Sequence, residues 1–125
     1  MNPLCQQKEL KEFCEAKGVH VSAHSPLGSN GTIWGDNRIL DCDALKEIAE
    51  SIGKTTAQIA LRWAYEQGAS VITKSFNKDR MKENLEILDW SLSMEDLDKI
   101  NGLPRRKGSA RSPIFELSKE LEAEL

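Results

Sequence analysis

With 125 residues, 39% apolar and 30% charged, the chain has the size and composition of one soluble globular domain. A net charge of -3 argues against nucleic acid as a partner, and no apolar run approaches the roughly 20 residues needed to span a membrane. Cys5, Cys14 and Cys42 are odd in number and have no C-x-x-C spacing, so neither a disulfide framework nor a zinc site is indicated, and a reducing cytoplasm fits best.

Leu10, Phe13 and Cys14 recur at helical spacing and predict a helix over 6–17, closed by Gly18. Val19 to Ala23 is enriched in strand formers and ends in His24-Ser25-Pro26-Leu27-Gly28, where Pro and Gly forbid continuation. This reads as a strand delivering a polar turn. His20 and His24 would lie about 13 Å apart along it, too far to share a metal ion. Residues 29–41 are rich in Gly, Asn and Asp yet carry Ile33 and Trp34, the mark of a long functional loop.

Asp43 is expected to cap a helix with Leu45, Ile48, Ala49 and Ile52 inward, stopped by Gly53. Thr55 and Gln58 stand at capping-box spacing for a second helix through Gln67, whose inner stripe is Ile59, Ala60, Trp63 and Ala64. Trp63 reads as core and Tyr65 as surface. Ser70 to Thr73 predict a buried strand, Asn77 an N-cap, and Met81, Leu85 and Leu88 the inner face of the next helix. Ser93 and Asp96 cap a short helix that buries Leu97 and Ile100 and ends at Gly102. Arg105, Arg106, Lys107 and Arg111 read as a solvated tail, followed by an amphipathic helix with Leu117, Leu121 and Leu125.

The charge at the second strand-to-helix junction is unusual. Lys74 follows the strand, and Lys78 and Arg80 occupy the first helical turn, where the macrodipole disfavours each exposed cation by roughly 0.3–1 kcal/mol. An anion between them would reverse that sign, and Ser75 with the free N–H groups of the turn would complete a phosphate cradle. Lys78, Asp79, Arg80 and Lys82 also suit an ordinary solvated helix face.

Helices alternating with two strands give the α/β pattern of parallel βα units. Two strands cannot cover or close a parallel sheet, and a complete (β/α)8 barrel takes about 250 residues. The chain therefore reads as the C-terminal portion of a TIM barrel, its last two strands with their helices. Asn2-Pro3 would be the last residues of an earlier strand, and Met1 an internal methionine.

Two segments, VHVSAHSPLGSNGTIWGDN at 19–37 and KTTAQIALRWAYEQGASVITKSFNKDRMKENLEI at 54–87, resemble the C-terminal part of the aldo-keto reductases. Wording such as KENLEILDWSL and LPRR looks closest to the plant chalcone (polyketide) and codeinone-type reductases. The resemblance covers residues 1–106 and leaves 107–125 as a divergent tail. It implies a (β/α)8 barrel that uses NADPH to reduce a small-molecule aldehyde or ketone.

By this resemblance Lys74, Ser75 and Arg80 hold the 2′-phosphate of NADPH, Phe76 lies by the adenosine, and Glu83 and Asn84 contact the adenine. Ser25, Leu27 and Ser29 match positions along the pyrophosphate and ribose. His24 stands where the family commonly places Tyr against the nicotinamide, and Trp34 borders the substrate mouth. The family's proton-transfer set of Tyr, Lys, Asp and His lies on earlier strands. Tyr65, the single tyrosine, matches none of it. Two readings follow: part of a carbonyl reductase, inactive alone, or a non-catalytic NADPH-binding or interaction remnant.

Overall fold

A computed structural model describes residues 1–28 and 37–105. Its elements run α1 (Lys8–Ala16), β1 (Ser22–His24), α2 (Asp43–Ile52), α3 (Thr56–Glu66), β2 (Ser70–Ile72), α4 (Lys78–Leu85) and α5 (Met94–Asn101). The expected tail helix with Leu117, Leu121 and Leu125, the basic residues Arg106, Lys107 and Arg111, and the loop residues Ser29, Ile33 and Trp34 lie outside the described residues.

The two strands pair in parallel, with Ser22 opposite Ser70, Ala23 opposite Val71 and His24 opposite Ile72. Parallel pairing brings both strand C-termini to one edge, so the turn after His24 and the junction after Ile72 lie side by side. This register sets the geometry of everything discussed below.

The core lies where α2, α3 and α5 meet one face of the sheet. Leu45, Ile48 and Ala49 of α2, Ile59, Ala60, Trp63 and Ala64 of α3, Ala23 of β1 and Ile100 of α5 are all buried. Helix α3 is its centre, with every residue from Gln58 to Ala64 buried. Trp63 fills the interior and keeps its indole N–H paired with Asn101 Oδ1 at 3.1 Å, as a buried tryptophan must. Tyr65 is at the surface, as its spacing predicts.

Capping follows the sequence at three of the four later helices. Thr55 and Gln58 form the full capping box of α3, Ser93 and Asp96 that of α5, and the Asn77 side chain accepts the Arg80 N–H of α4 at 3.0 Å. The exception is α2. Asp43 is its first residue, Cys42 stands at the cap without a side-chain bond, and Asp43 contributes through its charge at the positive end of the dipole.

Several expectations are corrected. The strand predicted over 70–73 is shorter and not buried, with Ile72 58% exposed. Met81, Leu85 and Leu88 do not face inward, being 44%, 73% and 63% exposed. Ile52 is 37% exposed. The cause is common to them: helical periodicity marks a face that wants cover, but a two-stranded sheet among the described residues has too little surface to supply it. Asn2 forms an isolated antiparallel bridge to Cys5 rather than the end of a strand. The first helix begins at Lys8 because Gln7 takes a left-handed conformation (φ 53°), while Gln6 is buried and donates to the carbonyls of Pro3 and Ile100.

Candidate anion and cofactor site

The junction from Thr73 to Asn84 is built by local hydrogen bonds. The Ser75 hydroxyl accepts the Asn77 N–H at 3.1 Å and donates to the Asn77 carbonyl at 3.3 Å, folding the chain back on itself. Asn77 then caps α4, and its carbonyl accepts the Met81 N–H. The N–H groups of Lys78 and Asp79 have no partner among the described residues. They are open donors at the positive end of an eight-residue helix.

Around these donors lie Lys74, Lys78 and Arg80, all exposed. No carboxylate among the described residues is within ion-pair distance of any of the three. Lys74 Nζ instead sits 4.5 Å from the centroid of the Phe76 ring, which is itself 90% exposed.

Glu83 and Asn84 are held from two sides. Asn84 Nδ2 donates to the Thr73 hydroxyl at 3.3 Å, tying α4 to the end of β2. Glu83 Oε1 accepts the Thr55 hydroxyl proton at 2.6 Å, tying α4 to the start of α3. Gln58 Nε2 reaches the carbonyls of Glu83 and Glu86 at 3.1 and 3.5 Å, so a buried amide of α3 fastens the C-terminal end of α4, where Glu83 O also accepts the Glu86 N–H. Beside this junction is an open groove of about 1220 Å³, lined by Val71, Lys74, Ser75, Met81, Asn84 and Leu85 among others.

On the neighbouring strand, His24 closes β1 and is exposed. Its Nδ1 lies 3.1 Å from the Ser25 hydroxyl. Ser25 adopts φ 50°, a left-handed conformation that turns the chain sharply, and its carbonyl accepts the Gly28 N–H at 3.0 Å to close the turn. Pro26 is buried and Leu27 packs against the core, which anchors that turn. His20 bonds the Ser70 hydroxyl at 2.7 Å and so joins the strands.

The structure thus brings Lys74, Ser75, Phe76, Arg80, Glu83 and Asn84 together on one junction and sets His24, Ser25 and Leu27 on the adjacent strand end. Thr73 and Thr55 carry no sequence signal that marks them as neighbours of the site. Thr55 is legible there as a cap, but nothing local signals a partner 28 residues away.

A capped helix N-terminus whose cations are unpaired among the described residues, at the C-terminal edge of a parallel pair, defines an α/β protein with a candidate anion site at that junction. The aldo/keto reductase family model matches residues 1–104, and the chain belongs to that family, a family of oxidoreductases. It is 62% identical over 109 residues to the 7-acetyl-epi-neemfruitin B aldo-keto reductase of Melia azedarach, covering 87% of this chain and 34% of that protein. It is 47% identical over 110 residues to an NADPH-dependent codeinone reductase of Papaver somniferum, covering 88% and 34%. The crystal structure of an aldo/keto reductase from Brucella melitensis superposes with a TM-score of 0.69 at 40% identity, covering 79% of this chain and 35% of that one. The chain therefore spans about a third of the length of the curated relatives it matches.

Proposed function

We propose that this chain supplies the adenosine 2′-phosphate end of an NADPH site in a carbonyl-reducing aldo/keto reductase, as the last two strand-helix units of a (β/α)8 barrel in a cytoplasmic enzyme. Three unpaired cations around open N–H donors carry the reading, since an anion there converts an unfavourable charge pattern into a favourable one. The donor set fits a phosphate: Lys74 as a point charge, Arg80 as a planar fork, and the Ser75 hydroxyl once it turns from Asn77.

Phe76 would pack on the adenosine, Glu83 and Asn84 would address the adenine, and Ser25, Leu27 and Ser29 would line the pyrophosphate and ribose. His24 would face the nicotinamide and Trp34 the substrate mouth. When bound, the nicotinamide supplies the hydride that reduces an aldehyde or ketone to an alcohol. This chain's own part is to bind and orient. Tyr65 lies on α3 and not at the strand ends, so no proton donor for the carbonyl is assigned among these residues. That placement keeps a second reading in view, a chain that binds NADPH without turning it over.

Fluorescence titration separates the possibilities. The chain is expected to bind NADPH more tightly than NADH, and Arg80→Ala to weaken NADPH roughly tenfold while leaving NADH within about twofold. Equal loss for both cofactors would mean that Arg80 does not read the 2′-phosphate.

A further inference from the structure

Phe76 directly precedes the Asn77 cap of α4, and Met81 is the fourth residue of that helix. An apolar pair at these two positions ordinarily closes over a helix start. Here the Phe76 ring is 90% exposed and so is not buried against Met81. Its face meets the Lys74 ammonium instead, which lies 4.5 Å from the ring centroid. Leaving a phenyl group in water forgoes the burial of a large apolar surface, and what the junction gains is a held cation.

The kind of holder matters. A carboxylate would restrain Lys74 as well, but it would also offset the ammonium charge and repel an incoming phosphate. An aromatic face attracts a cation through its quadrupole while carrying no net charge. Among the described residues no carboxylate pairs with Lys74, which lines the groove beside the junction. The side chain is thus restrained with its full charge still on offer. A lysine tail free in solvent loses rotamer freedom on meeting a ligand, and one already held loses less.

We infer that Phe76 is a positioning residue whose ring holds the Lys74 ammonium ready at the junction and so raises its affinity for a phosphate. The inference rests on the reading of this junction as an anion site. Phe76 acts here through Lys74, and the role takes one face of the ring and leaves the other open.

The test is NMR of the whole chain, alone and titrated with adenosine 2′,5′-bisphosphate. In the free wild type the Lys74 ε-methylene signals are expected upfield of those of the other lysines, displaced by the ring current. Phe76→Leu should return them to ordinary positions, and Phe76→Tyr should keep them displaced. Phe76→Leu is expected to weaken the bisphosphate roughly threefold and Phe76→Tyr to restore it. Once Lys74→Met has removed the ammonium, Phe76→Leu should make no further difference. Leucine keeps an apolar group before the cap, so a purely structural role at the helix start would leave Phe76→Leu unaffected.

Undisplaced Lys74 signals in the wild type would overturn the inference, as would unchanged or tighter binding by Phe76→Leu. An equal loss from Phe76→Leu in the Lys74→Met background would place the ring's action on the adenosine and overturn it too. In each of these cases, weakening by Arg80→Ala would leave the anion site itself standing. A wild type that binds no bisphosphate would overturn the site and the inference together.

Discussion

Arg62 joins several elements through one buried side chain. It is 9% exposed, its Nε bonds Glu66 Oε1 at 2.6 Å, and its other arm donates to the Ile87 carbonyl at 2.7 Å. The guanidinium also lies 5.0 Å from the Tyr65 ring centroid and 5.8 Å from that of Trp90. Glu66 in turn accepts the Leu92 N–H at 3.0 Å, so the pair fastens α3 to the 87–92 segment. Arg62→Met removes one charge and strands the other, and should cost about 3 kcal/mol in chemical denaturation. Arg62→Lys should recover only part, because an ammonium cannot reach both acceptors. An i,i+4 pairing of Arg62 with Glu66 can be read from spacing, but its burial and its reach to Ile87 cannot, since those depend on a segment 25 residues later.

The helices divide into those the sequence describes well and one it describes by half. Caps at Thr55, Asn77 and Ser93 are local chemistry, so they are legible where they stand. Ser93→Ala should lower stability by about 1 kcal/mol, read as a fall in thermal midpoint, because the Asp96 N–H loses its acceptor and the Asp96 carboxylate loses the Ser93 hydroxyl donor. Helix α4 is different. Its cap and cations are legible, as is the strand that feeds it, yet the face its spacing marks as inner is exposed. Periodicity registers that residues 81, 85 and 88 share a face and carries no information about what meets it. The same limit hides the bond from the Thr55 hydroxyl to the Glu83 carboxylate, which joins residues 28 apart.

At the scale of the whole chain, Met81, Leu85 and Leu88 are exposed and line one groove next to the site, and Ile72 and Phe76 are exposed as well. In the proposed barrel such a face meets further strands and helices; the chain spans about a third of its curated relatives. The chain on its own should bind an apolar dye such as ANS, and Leu85→Lys should reduce that binding while changing stability by less than about 0.5 kcal/mol, because a side chain 73% exposed has little burial to lose. A large stability loss would instead place Leu85 in a packed interface. The parallel register is the global feature that matters most, since it alone puts His24 and Ser25 beside the junction that holds Lys74 and Arg80.

The central claim is that this junction binds the 2′-phosphate of adenosine. The most direct measurement is an amide chemical-shift titration of the chain with adenosine 2′,5′-bisphosphate, which presents the purine and that phosphate without the nicotinamide. Saturable shifts concentrated at residues 74–84, abolished by Arg80→Ala and absent with adenosine 5′-phosphate at the same concentrations, are the predicted result. Shifts of equal size with both nucleotides, or shifts centred away from Lys74 and Arg80, would contradict the account.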